Sequence, residues 1–134
     1  MRELTDHKIN ECNEALIISA VDKPGSGGAN HRYEITGFDT NLNPSNVSSA
    51  GFRSSFSNLP VIFQNGPIKE VGVNGVTHEV LLAIVIDRMR CFQNGNYSCR
   101  ENSIALTHLE TALLWLNKRT RDRIARNVEG THQK

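Results

Sequence analysis

The spacing of apolar residues changes character near residue 77. Before it, hydrophobic positions come in short runs broken by Gly, Pro, Asn and Asp; after it they recur every three or four residues. Residues 1–13 are polar with weak periodicity and read as a short helical or frayed start. Residues 15–21, rich in β-branched side chains and stopped by Asp22-Lys-Pro-Gly, read as a buried strand. Gly25-Ser-Gly-Gly28 is a flexible turn. Residues 31–38 resume as a strand, with Tyr33 and Ile35 alternating against Arg32, Glu34 and Thr36. The two strands are expected to pair as a hairpin with a long connection. Residues 39–58, rich in Asn, Ser and Gly, read as turns and loop with a candidate edge strand around Gly51 to Phe56. A third strand is expected at Val61 to Gln64. Asn65-Gly66-Pro67 breaks it, and a fourth short strand is expected at Ile68 to Val73.

The remainder reads as a helical hairpin. The spacing predicts a first helix from about Thr77 to Phe92, capped by Asn74 or Thr77, with Glu79 in its first turn. Its stretch Val80 to Ile86 is apolar on every face, which predicts burial on more than one side, against the second helix and against the sheet or a second subunit. Asn94-Gly95-Asn96 supplies the turn. Ser98-Cys-Arg-Glu101 reads as a capping box that opens the second helix. Its apolar seam is Ala105, Leu106, Leu109, Ala112, Leu113 and Leu116, and it ends near Arg126, with Gly130 ruling out much extension.

Composition narrows the class. At 134 residues the chain makes one domain, or one with a small appended element, here a β-sheet region over 1–73 and a hairpin over 74–134 in one unit. A hydrophobic content of 38% is low for a stable monomer, so self-association is expected. The longest apolar run is seven residues, far below the roughly 18 a membrane span needs. No signal-peptide pattern opens the chain, and three cysteines suit free thiols in a reducing cytoplasm. The two Asn-X-Ser triplets are then read as chance.

Charge points to a local site. The net charge is only +1, yet Lys118, Arg119, Arg121, Arg123 and Arg126 crowd one helix end. Stepping by three and four along the second helix, Asn102 precedes the apolar seam and Arg119 and Arg123 follow it. Arginines in line with an apolar seam suit a pocket mouth for phosphate or carboxylate. A solvated helix end whose cations complement the macrodipole gives the same pattern. Asn102 and Arg119 lie 17 residues apart, about 25 Å along a helix. One small ligand reaches both only if two subunits pair their helices antiparallel. Phe92 ends the first helix near Asn102, where its ring can stack on a nucleobase or fill the hairpin core. Arg88, Arg90 and Arg100 form a second, weaker basic group near the turn, equally readable as surface charge.

Catalytic patterns are missing. The five histidines are scattered, neither His78-Glu79 nor His108-x-Glu110 makes a metal motif, and Cys91 with Cys99 makes a poor zinc site. Gly25 to Gly28 lacks the Lys-Ser/Thr ending of a phosphate-binding P-loop and suits a mobile turn better. The pattern favours a binding protein. Two rivals stay open: an enzyme that acts on the bound anion, and a helical module that binds nucleic acid or protein through its basic end.

Three stretches carry a family resemblance. They are Phe63-Gln-Asn-Gly-Pro-Ile-Lys-Glu-Val-Gly-Val-Asn-Gly-Val-Thr77; Asp87-Arg-Met-Arg-Cys-Phe-Gln93 with Cys99-Arg-Glu-Asn102; and Leu114-Trp-Leu-Asn-Lys-Arg-Thr-Arg-Asp-Arg123 with Glu129-Gly-Thr-His132. Over about residues 60–132 the chain resembles the Thoeris anti-defence family of the first type, whose hairpin is shared with the anti-CBASS sponge family. The resemblance implies a phage protein, acting in the cytoplasm of an infected bacterium, that sequesters cyclic nucleotide signals without cleaving them. The implied ligand is a cyclic ADP-ribose isomer made by a TIR-domain enzyme, with cyclic di- or trinucleotides of CBASS as further ligands. It implies dimers, or hexamers built from dimers, and no cofactor. It assigns ligand contacts to Phe92, Asn102, Arg119 and Arg123, with Arg100 at a trinucleotide site. Residues 39–58 match nothing in the family pattern. The expected fold is α+β: a small antiparallel sheet followed by a two-helix hairpin, assembled as a homo-oligomer.

Overall fold

Four strands form one antiparallel sheet in chain order: β1 (Arg2–Leu4), β2 (Ile17–Ala20), β3 (Arg32–Thr36) and β4 (Leu59–Ile62). The structure, a computed structural model, describes residues 1–132. Chain contacts divide it into one unit over residues 1–65 and another from Gly66 onward.

In the first unit the expected hairpin is present. β2 and β3 pair from Ile17 opposite Thr36 to Ala20 opposite Tyr33. The polar start is more structured than its pattern suggests. Arg2 to Leu4 pair with Ala20 to Ile18, and a short helix α1 (Glu11–Ala15) follows, capped by the Asn10 side chain on Asn13 N–H. The pattern missed β1 because a three-residue strand is too short to show alternation. Asp22 closes the β2–β3 connection: its carboxylate accepts from His31 N–H at 3.0 Å and Arg32 N–H at 3.2 Å. The His31 bond leads in holding its pKa below the ordinary carboxylate value, with Arg32 and Asn30 assisting and burial opposing. The glycine turn is a single 3₁₀ turn whose Gly25 and Gly28 N–H groups bond to Ala29 and Gly25 carbonyls, so it is no phosphate cradle. The edge strand expected at Gly51 to Phe56 does not form. That segment is a loop tied to Thr40 by paired Thr40 and Phe56 bonds, with Phe56 edge-on to Phe38. Gly37 is held at φ 90°, where a Cβ would lie 1.9 Å from the Ala15 carbonyl oxygen.

The second unit holds α2 (Ile68–Val71), α3 (His78–Gln93) and α4 (Arg100–Ala125). The strand expected at Ile68 to Val73 is instead the helical turn α2. Pro67 fixes its entry and Gly72, at φ 76°, ends it, the N-terminal Pro and C-terminal Gly asymmetry of helices. α3 starts as expected, with the Thr77 side chain accepting from Val80 N–H. α4 starts one residue later than the Ser98 capping box predicts. Gln93 pins the backbone of Cys99, accepting its N–H at 3.1 Å and donating to its carbonyl at 3.2 Å, so Cys99 is the N-cap and its Sγ accepts from Asn102 N–H.

α4 packs on α3 along a seam with spacing four and three: Asn102, Leu106, Leu109, Leu113, Leu116, Thr120 and Arg123 are the less exposed positions. Arg90 bonds Glu110 across the hairpin at 2.7 Å and fixes the register. Only Ala20, Ile86 and Arg123 are buried among the described residues. The expected burial of α3 on several sides is therefore unmet within one chain: Val80, Ile84 and Val85 stay exposed. No described helix is long and apolar enough to cross a membrane.

Candidate functional site

The basic end of α4 forms an open groove of about 960 Å³ whose lining includes Trp115, Lys118, Arg119, Asp122, Arg123 and Arg126. Trp115, Arg119, Asp122 and Arg126 are spaced four, three and four, which stacks them on one helix face. Trp115 is 62% exposed. Asp122 is engaged by Lys118 at 2.8 Å. Arg119 is exposed, and among the described residues no carboxylate pairs with it. The groove thus offers a flat aromatic surface, one uncommitted guanidinium and a local excess of cations, which suits an anionic ligand with a planar ring.

Arg119 and Arg123 do not share a fate. The seam expectation placed both on the buried-type face. After Leu116 the less exposed positions are Asn117, Thr120 and Arg123, and Arg119 stands off the seam in solvent. Arg123 is only 8% exposed. Its Nε donates to Glu129 at 2.8 Å, and Nη2 donates to the Val128 carbonyl at 2.9 Å and the Thr131 carbonyl at 3.3 Å. Those partners lie alongside because the helix ends in a Schellman motif. Asn127 takes a left-handed φ of 59°, its N–H bonds the Ile124 carbonyl, and Val128 N–H bonds the Arg123 carbonyl. Asn127, rather than Gly130, is the stop signal.

The other end of α4 carries the remaining expected contacts. Phe92 is half-buried, with the Arg88 guanidinium 4.9 Å from its ring centroid and the Tyr97 ring at 5.7 Å, tilted by 45°. Asn102 donates from Nδ2 to the Tyr97 carbonyl at 3.3 Å, so Phe92, Tyr97 and Asn102 form one cluster around the turn. Arg100 is exposed nearby and, among the described residues, has no partner. Helix rise keeps Asn102 and Arg119 about 25 Å apart. The turn cluster and the arginine groove are two separate groups of side chains at opposite ends of α4.

Sequence reasoning missed Trp115 and Glu129. Trp115 was findable: it stands four residues before Arg119. Glu129 carried no periodic signal, because its place depends on the Asn127 turn. Among the described residues no group of His, Cys, Asp and Glu could hold a metal ion, and Cys12, Cys91 and Cys99 are free and exposed.

Comparison with known proteins defines the class of this hairpin. Residues 58–121 match the sequence model of the family described as Acb2/Tad1, hairpin domain. That span contains Phe92, Arg100, Asn102 and Arg119 and stops short of Arg123 and the tail. A particular relative follows: the chain is 58% identical over 74 residues to Thoeris anti-defense 1 of Bacillus phage SBSphiJ7, a match covering 55% of this chain and 52% of that protein. The chain therefore spans about half the length of this curated relative in the aligned region. Residues 58–121 therefore resemble the hairpin described for Acb2 and Tad1, largely within the stretch of residues 60–132 where the motifs suggested it.

Proposed function

We propose that the protein is a phage anti-defence sponge that holds a cyclic nucleotide immune signal without cleaving it. The signal is a cyclic ADP-ribose isomer of the Thoeris type, and cyclic di- or trinucleotides are secondary ligands with Arg100 at their site. The relative's name supports the anti-Thoeris role. The observation that carries the reading is the α4 groove, where unpaired Arg119 lies on one face with Trp115 beside the buried Arg123. In this reading Phe92 stacks the adenine, Asn102 orients the ligand, and Arg119 and Arg123 hold the pyrophosphate by charge-assisted bonds.

The two groups of side chains meet only if two copies pair their helices antiparallel, so the working form is a homo-oligomer. The surface supports this. The chain exposes 10049 Å². A folded monomer of its mass exposes ~7,000 Å², and even two separate halves would expose ~8,500 Å². Ile84, Leu114 and Trp115 are each at least 60% exposed on the helices, which is apolar area for a second copy to cover.

The test is capture and release. The purified protein is incubated with cyclic ADP-ribose isomers and cyclic oligonucleotides, freed of unbound ligand, then heat-denatured. Intact released ligand supports the sponge. A cleaved product makes the protein an enzyme. No capture, with salt-sensitive duplex DNA binding instead, supports the nucleic-acid module.

A further inference from the structure

We propose that Glu129 is a positioning residue for ligand capture: with the Val128 and Thr131 carbonyls it holds the Arg123 guanidinium in the groove, which makes the C-terminal tail part of the site. This rests on the capture reading above and adds to it a segment outside the matched hairpin.

The argument starts from charge. Arg119 and Arg126 line the same groove as Arg123, and Asp122 there is engaged by Lys118, so the remaining like charges favour an outward Arg123 side chain. A long arginine stem left to itself would swing into solvent. At least three acceptors oppose that: the Glu129 carboxylate on Nε and two tail carbonyls on Nη2. Glu129 is the only one of the three that carries charge. At 38% exposed it offsets the repulsion without burying a second ion deeply.

The tail is itself anchored, so the clasp is firm. After the Asn127 turn, Gly130 sits at φ 80°, where a Cβ would come within 2.9 Å of Ile68 Cγ1. The Gly130 carbonyl accepts from Lys69 N–H at 3.4 Å, which ties the tail to α2. The lead-in turn of the hairpin thus anchors the segment whose Glu129, Val128 and Thr131 hold Arg123. A cation fixed before the ligand arrives loses less freedom on binding than a mobile one.

The experiment compares the full-length parent with Glu129→Ala and Glu129→Gln. The first readout needs no ligand: the Arg123 Nε–H signal in a ¹H–¹⁵N spectrum. The second is affinity for cyclic ADP-ribose isomers and for inorganic pyrophosphate across a salt series. Glu129→Gln retains an oxygen that can accept from Nε. It should keep the protected signal and bind within about threefold of the parent. Glu129→Ala should lose the signal, bind about tenfold more weakly, and show a shallower salt dependence as one cation leaves the site. A purely structural tail would lower the melting temperature and leave the salt dependence unchanged. Glu129→Ala binding as tightly as the parent overturns the proposal, as does a persisting Nε–H signal. A parent that binds no probe overturns the capture reading, and the Nε–H signal then decides alone whether Glu129 holds Arg123.

Discussion

Truncating Arg119 and Arg123 separately distinguishes a ligand contact from a scaffold residue. Arg123→Ala removes an ion pair at 2.8 Å, a carbonyl bond at 2.9 Å and a weaker one at 3.3 Å from a residue that is 8% exposed. A charge-assisted bond contributes about 1.5–3 kcal/mol, and loss of one partner of a fully buried pair costs about 3–5 kcal/mol. Glu129 is 38% exposed and regains water when its partner goes, so the cost falls in the lower half of that range or just below it. Stability should fall by about 2–4 kcal/mol, or about 6–15 °C in melting temperature at fixed protomer concentration. Arg119→Ala removes an exposed side chain with no partner among the described residues, so stability should change by less than about 0.5 kcal/mol. Its cost should appear in affinity for the cyclic nucleotide, about 1.5–3 kcal/mol or roughly 10- to 150-fold. Calorimetric melting and titration of both variants give the four numbers. An Arg123→Ala melting curve that overlays the parent, or an equal loss of stability in Arg119→Ala, refutes the division of roles. Unchanged affinity in either variant removes that arginine from the ligand site.

Three further outcomes are expected. Trp115 is the chain's only tryptophan, so its emission should change on saturation with a captured cyclic nucleotide; a flat signal in a sample shown to retain ligand would move the site away from the groove. Asp22, whose pKa is lowered in the folded chain, contributes stability that is present above the unfolded carboxylate pKa and lost as pH falls through the folded one. Melting temperature should therefore drop below about pH 4, and Asp22→Asn should flatten that part of the profile; an identical acid limb in the variant counts against the assignment. Gly37→Ala places a Cβ 1.9 Å from the Ala15 carbonyl oxygen at a left-handed φ, so it should cost more than about 3 kcal/mol; wild-type melting would show that the β3 exit relaxes freely.

Local pattern determined much of this protein. The β2–β3 hairpin, the third expected strand, the Thr77 cap, both long helices and the leucines of the α4 seam follow from two spacings and a few turn residues, whereas Ala105 and Ala112 of that expected seam are exposed. Each of those signals lies within a few residues of the feature it sets. The motifs of residues 60–132 also pointed to the Acb2/Tad1 hairpin, whose model matches residues 58–121. Tertiary structure decided what the pattern left ambiguous. Residues 68–71 became helix once Pro67 and Gly72 bounded them and the tail packed on them. The α4 start moved to Cys99 because Gln93, six residues earlier, had taken its backbone groups. Arg119 and Arg123 look equivalent by spacing, since steps of three and four both continue a seam. Their difference comes from Glu129, brought to Arg123 by a left-handed Asn127 and held by Gly130 against Ile68. Helical periodicity places a side chain on a face, but the partner that commits it arrives from a part of the chain that no periodicity describes.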